Sequence, residues 1–364
     1  MVELSFVPLV LPNLQSDLDL TRSALAWIFN AYVAAVAVGV LVGGRLGDSI
    51  GPRRIFTLGV SLFIVGSLFV ALSPEQGTIL VGRVLQGFGG GLFSPVIPVL
   101  LARASAGRPG RLLILWGSIS GLVAGLAPLT AHYLLGAFDW SLVFFGLAGL
   151  AFPALFIAFT QDGSGLTRDR APASLVGALH QPMRVWFLYG YVFCNFGTIM
   201  LFIFFLPLSL DEAGYLPKER AWVMMVFWAA FAAAGVVLRN MIDRQAIWLV
   251  LLASPVFVIG GYLVYFTAQS PTWVGLSAAL VGIGFACGNA TSTTLILRFC
   301  QDGTASVAAS LDISIARLGA ALVILIAAPL EPVSVVWMVA FLCLITAICG
   351  VLPSPVFQVP SREY

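Results

Sequence analysis

The chain has 364 residues, of which 60% are hydrophobic and only 9% charged, with a formal net charge of +2. Ordinary globular proteins carry roughly 25% charged residues, so this sequence cannot clothe a soluble surface, and lipid is the solvent it suits. The small net charge and the lack of long basic runs argue against a nucleic-acid partner, and collagen-like, disordered and disulfide-scaffold classes are excluded as well.

Apolar runs separated by short polar breaks predict membrane-spanning helices at 1–15, 24–43, 55–73, 77–101, 112–135, 140–160, 185–208, 220–239, 246–267, 272–297, 306–329 and 333–353. A helix of about 20 apolar residues crosses the hydrocarbon core, and runs without alternation exclude a barrel. The predicted fold class is therefore an all-α membrane protein of twelve transmembrane helices in two six-helix halves. The polar stretch 161–184 divides them, giving an N-terminal half at 1–160, a central loop at 161–184, a C-terminal half at 185–353 and a tail at 354–364. Residues 1–15 would extend only about 22 Å against about 30 Å of hydrocarbon. Either the true start lies upstream or the inner half of this helix is missing.

Arginine placement predicts orientation. With the first span running outward, the inner loops hold Arg45, Arg53, Arg54, Arg103, Arg108, Arg111, Arg168, Arg170, Arg184, Arg239, Arg244, Arg298 and Arg362, whereas the outer loops hold only Arg22, Lys218 and Arg220. Positive charge accumulates on the cytoplasmic side, so the central loop and C-terminus are expected there, in a cell (inner) membrane. Asp17, Asp19, Asp211, Glu212 and Glu219 offset the few outer cations.

In chain order, Glu3 comes first. It lies about 20 Å from the outer end of span 1 by the helical rise, at membrane depth, where it is either a protonatable coupling site or a headgroup residue. The loop 44–56 runs Gly44, Arg45, Leu46, Gly47, Asp48, then Gly51, Pro52, Arg53 and Arg54. Its glycines permit a tight turn, and Asp48 is expected to cap a helix start. Arg83 lies inside the outer boundary of span 4, with Gln86 one turn on. It is either a cavity cation, for substrate or for an acid on span 1, or a residue snorkelling to the headgroups. Gly117, Gly121 and Gly125 give span 5 a smooth face for close packing, and His132 near its outer end either titrates or hydrogen-bonds its neighbours.

The polar residues Tyr191, Asn195 and Thr198 of span 7, and Asn289, Thr291 and Ser292 of span 10, either face a cavity or bond to their own backbone. Asp312 and Arg317 in span 11 are poorly spaced for a direct pair, so each calls for a partner elsewhere. The five cysteines, Cys194, Cys287, Cys300, Cys343 and Cys349, read as small core residues. Leu46-x-Asp48 is echoed by Leu238-x-Asn240 at the equivalent loop of the second half, as parallel repeats would give. No catalytic set, metal cluster, phosphate loop or cofactor motif is visible. The sequence therefore predicts no enzyme and no cofactor, and energy coupling would have to come from a gradient.

Residues 44–56 resemble the loop motif G-x-L-A-D-R-x-G-R-R of the major facilitator superfamily, matching at Gly44, Leu46, Asp48, Gly51 and Arg53. Arg83 to Gly91 is similar to R-x-x-Q-G-x-G, Trp27 to Tyr32 to W-x-x-x-A-Y, and Glu3 to Pro12 keeps the spacing of D-x-T-x-V-N-V-A-L-P. These resemble the drug/proton antiporter branch, usually built with fourteen spans. Span 5 departs from it: Ala127-Pro128-Leu129-Thr130-Ala131-His132 stands where G-P-x-x-G-G would be.

The resemblance implies a secondary transporter in which spans 1, 4, 7 and 10 line the cavity, and a protein that is monomeric. Proton coupling would then fall to Glu3, and the substrate cavity to Arg83, Gln86, Tyr191, Asn195, Thr198 and Asn289. The inner gate would use Asp48, Arg53, Asp312 and Arg317. Few charges and many Phe, Trp and Met residues suit a lipophilic or amphipathic small-molecule substrate, and the resemblance implies that protons drive its movement across the lipid bilayer, with antiport and symport both left open by the eroded span 5 motif. The alternative, motivated by the short first span and the eroded span 5 motif, is a non-transporting member of the fold acting as a membrane partner subunit or incomplete paralogue.

Overall fold

The computed structural model describes residues 2–73, 75–97, 100, 123–134, 138–160, 181–242, 247–268, 270–301 and 304–354. Among them are eleven helices and no strand: α1 (Val2–Leu18), α2 (Arg22–Ile50), α3 (Pro52–Leu72), α4 (Gln76–Phe93), α5 (Ser141–Thr160), α6 (Met183–Glu212), α7 (Pro217–Ile242), α8 (Ile247–Thr267), α9 (Pro271–Phe299), α10 (Ala305–Ala327) and α11 (Pro332–Val351). Residues 123–134 are helical too. Among the described residues, eight helices (α2, α3 and α6 to α11) are long and apolar enough to cross a membrane. Most of span 5 before residue 123, including Gly117 and Gly121, lies outside the described residues, as do 161–180 of the central loop and 355–364 of the tail.

Local chemistry explains several helix ends. Thr21 N-caps α2 by accepting the Ala24 N–H at 3.2 Å. Proline opens α3, α9 and α11, where a missing N–H costs nothing because no carbonyl of the helix awaits it. One prediction fails here. Asp48 does not cap a helix start: α2 continues through it to Ile50, and Gly51 stands before α3 without a side-chain cap. Gly51 makes the turn at φ +98, a conformation that glycine adopts without a Cβ clash. The side chain of Asp48 lies outside the described residues.

Outward faces suit lipid. Val333, Trp337, Phe341, Leu344 and Ile348 of α11 are all exposed, and their spacing places them along one side of the helix. Water would penalise such a stripe, whereas hydrocarbon does not.

The described residues gather into two compact units. The first contains the described residues of 1–174, 203–225 and 324–329; the second contains those of 175–202, 226–323 and 330–364. In the first, α4 packs against α2 on one side and α3 on the other. Its run of glycines allows both approaches. A Cβ on Gly91 would stand 2.6 Å from Val36 O and 2.7 Å from Gly39 Cα. A Cβ on Gly66 of α3 would stand 2.6 Å from Gly82 O and 2.8 Å from Gln86 Cα. The α4 backbone therefore approaches both neighbours without intervening side chains, and Arg83 and Gln86 are drawn into the interior with it.

In the second unit, Gly261 and Gly284 give α8 and α9 the same intimacy. A Cβ on either would lie 3.0 Å from a backbone carbonyl of the other helix, Ser277 O for Gly261 and Ser254 O for Gly284. Polar ends are handled separately. Arg22 pairs with Glu212, and Arg220 with Asp211, so two cations assigned to outer loops are indeed matched by acids. The Arg22 pair is more than a third exposed, a setting in which such a pair adds little stability.

Candidate functional site

Three helices and their neighbours converge on Arg83. It is fully buried on α4, and Glu3 on α1 is 4% exposed. Arg83 Nη1 donates to Glu3 Oε1 and, at 2.6 Å, to Gln86 Oε1. Its Nε donates to Ile28 O of α2 at 3.2 Å, and its guanidinium lies 4.5 Å from the centroid of the Tyr32 ring. Gln86 Nε2 donates to Ser67 Oγ at 2.9 Å, and Ser67 Oγ donates to Phe63 O of α3 at 2.7 Å. Donors thus run outward from Arg83 in two directions, to the Glu3 carboxylate and, through the Gln86 amide and the Ser67 hydroxyl, to an α3 carbonyl.

Such an arrangement is expensive to bury and strong once made. Charge-assisted hydrogen bonds are roughly twice as strong as neutral ones, while an unpaired buried charge is heavily penalised. The pair is nonetheless incomplete. Glu3 Oε2 and Arg83 Nη2 are buried without a hydrogen-bond partner among the described residues. Arginine and carboxylate commonly meet through two parallel bonds; here only one Arg83–Glu3 bond forms. Chemically, the carboxylate keeps one oxygen free for a proton, and the guanidinium keeps both N–H bonds of Nη2 free for an acceptor. Asn30, one residue from Phe29 on α2, is 2% exposed, and neither of its side-chain polar atoms has a hydrogen-bond partner among the described residues. It adds a donor and an acceptor to the same unit.

The two readings of Arg83 are thereby separated: the residue is fully buried against an acid of α1 and does not snorkel. Ser67 was not among the residues singled out by sequence. A serine in a lipid helix carries no signal of its own, because its hydroxyl is at ease on its own backbone.

In the second unit, Tyr191 OH donates to Leu251 O at 2.8 Å. Ser254 Oγ lies 3.0 Å from Asn195 Oδ1 and 2.7 Å from Gly284 O, and its single proton serves one acceptor at a time. Gly288 leaves the room these groups occupy: a Cβ there would come within 2.8 Å of Ser254 Oγ and 3.2 Å of Tyr191 OH, and would also press on Asn195 Nδ2. Thr198 bonds to the carbonyls of Cys194 and Asn195, while Tyr262 OH donates to Thr198 O at 2.8 Å. Thr291 and Ser292 bond back to their own helix, and Asn289 is exposed. Tyr191 and Asn195 therefore meet in one polar cluster that also includes Ser254, a residue the sequence did not flag, whereas Asn289 stands outside it.

Asp312 accepts a hydrogen bond from Thr293 Oγ1 at 2.6 Å. Arg317 lies over the Phe196 ring at 5.0 Å. Each thus finds its partner on another helix, as their spacing requires. Arg53 is half-buried at the start of α3 and has a partner. Asp48 and Arg53 belong to the first unit, Asp312 and Arg317 to the second. Cys194, Cys287 and Cys343 are buried, Cys300 and Cys349 half-buried, and all five are free thiols. The His132 ring lies 5.3 Å from that of Tyr133, with Nδ1 buried and without a hydrogen-bond partner among the described residues.

A profile of the Major Facilitator Superfamily matches residues 1–324. The chain belongs to that superfamily. An uncharacterised superfamily transporter of Mycobacterium tuberculosis is 26% identical over 300 residues, covering 74% of this chain and 51% of the relative. The methylenomycin A resistance protein of Streptomyces coelicolor is 26% identical over 308 residues, covering 80% and 62%. The chain therefore spans between half and two-thirds of the length of these two relatives. Among solved structures, the peptide transporter POT superposes with a TM-score of 0.80 at 15% identity, covering 97% of this chain and 90% of that one. At that identity the likeness is one of fold.

Proposed function

We propose that the protein is a secondary active transporter that exports lipophilic or amphipathic small molecules in exchange for protons by alternating access. The observation that carries this reading is the buried Glu3–Arg83 pair with one carboxylate oxygen left open. An ionisable pair inside a membrane protein is costly unless it works. When Glu3 is charged, Arg83 Nη1 is shared between it and Gln86. A proton arriving at Oε2 removes the charge that holds the guanidinium, leaving Arg83 to Gln86, to Tyr32 and to any acceptor on a bound substrate. Proton and substrate would then bias the same helices, α1 and α4, toward different arrangements, which is what coupling requires.

In this reading twelve spans form two halves, 1–160 and 185–353, joined by a cytoplasmic loop at 161–184. The C-terminal tail lies in the cytoplasm, the location is a cell (inner) membrane, and the working unit is a monomer. Substrate would be held between the halves near the midplane by Arg83, Gln86, Tyr191, Asn195, Thr198 and Asn289. Asp48, Arg53, Asp312 and Arg317 would form the inner gate. The names of two relatives, a methylenomycin A resistance protein and a tetracenomycin C resistance and export protein, support export of an organic small molecule.

The test is proton flux driven by substrate in proteoliposomes. Glu3→Gln should retain substrate binding and downhill movement but lose proton movement and uphill transport. If proton flux per substrate survives in Glu3→Gln, the assignment of coupling to Glu3 fails.

A further inference from the structure

Two helix pairs of the chain pack by the same pattern. Gly59 and Gly66 of α3 meet Gly89 and Gly82 of α4, and Ser254 and Gly261 of α8 meet Gly284 and Ser277 of α9, each residue shifted by 195 positions. The same shift sets Val60 of α3 against Pro255 of α8. A valine serves the first pair, so this packing does not itself require a proline. Pro255 nonetheless stands inside the 21-residue α8. There it removes one helical hydrogen bond and leaves the carbonyl four residues earlier without its N–H donor. That carbonyl is Leu251 O, and the Tyr191 hydroxyl of α6 donates to it at 2.8 Å, buried from solvent.

The two parts of α8 are fastened differently. Beyond the proline, Ser277 Oγ of α9 donates to Gly261 O at 2.7 Å, and Tyr262 OH donates to Thr198 O of α6 at 2.8 Å. Before it, the Tyr191 bond ties the backbone to α6, and the Ser254 hydroxyl divides one proton between Asn195 Oδ1 and Gly284 O. Ser254 also follows Leu251 by three residues. At that spacing Thr198, Ser209 and Thr291 donate to carbonyls of their own helices. Serine beside a proline is one of the groups that re-satisfy a freed carbonyl in a lipid helix, so rotation of the Ser254 side chain gives Leu251 O a second donor.

We propose that Pro255 is a hinge in α8, that the Tyr191 hydroxyl is its latch, and that Ser254 serves Leu251 O when the latch is open. Leu251 O has a donor in both arrangements, so α8 changes shape by exchanging one hydrogen bond for another. Sharp bends in helices form at prolines. The part that moves is Ile247–Ser254, because the part beyond Pro255 keeps its bonds to α6 and α9. The hinge stands on packing and hydrogen bonding alone. Its purpose rests on the transport reading, in which a substrate group that accepts the Tyr191 proton would unlatch α8.

Hydrogen exchange over Ile247–Thr267, read by mass spectrometry on the purified full chain in detergent without ligand, tests the hinge. Tyr191→Phe should speed exchange before residue 255 about fivefold, the weight of one intramolecular hydrogen bond, and leave exchange beyond it unchanged. Pro255→Ala returns an N–H to Leu251 O and should slow exchange in the same stretch about fivefold. Adding Tyr191→Phe to Pro255→Ala should then change the rate less than about twofold, the non-additivity expected of groups that share one acceptor. Equal acceleration by Tyr191→Phe with and without the proline overturns the proposal, as does a wild-type rate in Tyr191→Phe. Should Tyr191→Phe fail to fold, Pro255→Ala decides alone, and unchanged exchange in it overturns the hinge. No arm uses a transported compound, so failure here leaves the export reading and the role of Glu3 standing, and their failure leaves the hinge standing.

Discussion

Arg83→Ala is expected to destabilise the protein by about 3–5 kcal/mol, the cost of stranding a buried ion-pair partner, and to abolish uphill transport. One substitution leaves Glu3 Oε1, Gln86 Oε1 and Ile28 O without their donor and removes the cation over Tyr32. Arg83→Lys should rescue little. An ammonium is a point charge that cannot reproduce the fork of a guanidinium, and here the fork serves a carboxylate, an amide and a backbone carbonyl at once. The double variant Glu3→Gln/Arg83→Met should recover stability relative to Arg83→Ala, because no charge is then left buried, but should not recover proton coupling. Thermal unfolding in detergent reads the first effect, and proton flux in proteoliposomes reads the second. Stability restored without coupling is the signature of a pair that works; equal loss of both in the double variant would mean that the pair is a structural clamp.

How far the sequence discloses this site depends on residue type. Arg83 and Glu3 are conspicuous because a charge inside an apolar run needs an explanation, and Gln86 follows one turn after Arg83. Their meeting across 80 residues is a tertiary fact, which the sequence offered only as one among several readings of Arg83. Ser67, Ser254 and Thr293 complete the polar clusters, yet Thr198, Thr291 and Ser292 look the same in sequence and bond to their own helices. Hydroxyl side chains in lipid have two satisfactory outcomes, so composition cannot choose between them. The placement of Asp48 failed for a different reason. Hydropathy marks where a helix leaves the hydrocarbon, near residue 43, but α2 runs on to Ile50, since nothing in Gly44 to Ile50 forbids a polar helical turn beyond the lipid. Fold class was more legible. Long unalternating apolar runs leave the helix as the structure that satisfies the backbone in hydrocarbon, and the described residues are helical wherever they are regular.

Gly66→Ala should destabilise the protein by about 1–3 kcal/mol, the usual cost of overpacking, whereas Gly149→Ala should stabilise it by about 0.5–1 kcal/mol, the gain from removing a glycine inside a helix. The same methyl group is added to helices of similar length, α3 and α5, and only the surroundings differ. At Gly149 a Cβ meets nothing within 4 Å. At Gly66 it meets Gly82 O at 2.6 Å and Gln86 Cα at 2.8 Å, together with the Gln86 amide nitrogen. These are backbone atoms, so no rotamer change can make room, and α3 and α4 must separate. The separation would act directly on the site. Gln86 Nε2 reaches Ser67 Oγ at 2.9 Å from the residue beside Gly66, and a hydrogen bond weakens steeply once its geometry is stretched. Gln86 would then be released from Ser67 while still held by Arg83 Nη1, so the amide could turn and compete with Glu3 for the guanidinium. The expected outcome is a lower unfolding temperature for Gly66→Ala, a slightly higher one for Gly149→Ala, and impaired proton coupling in Gly66→Ala alone. Equal behaviour of the two variants would mean that the close approach of α3 and α4 does not hold Gln86 in place, and the hydrogen bonds that link Arg83 to Phe63 O through Gln86 and Ser67 would lose their mechanical basis.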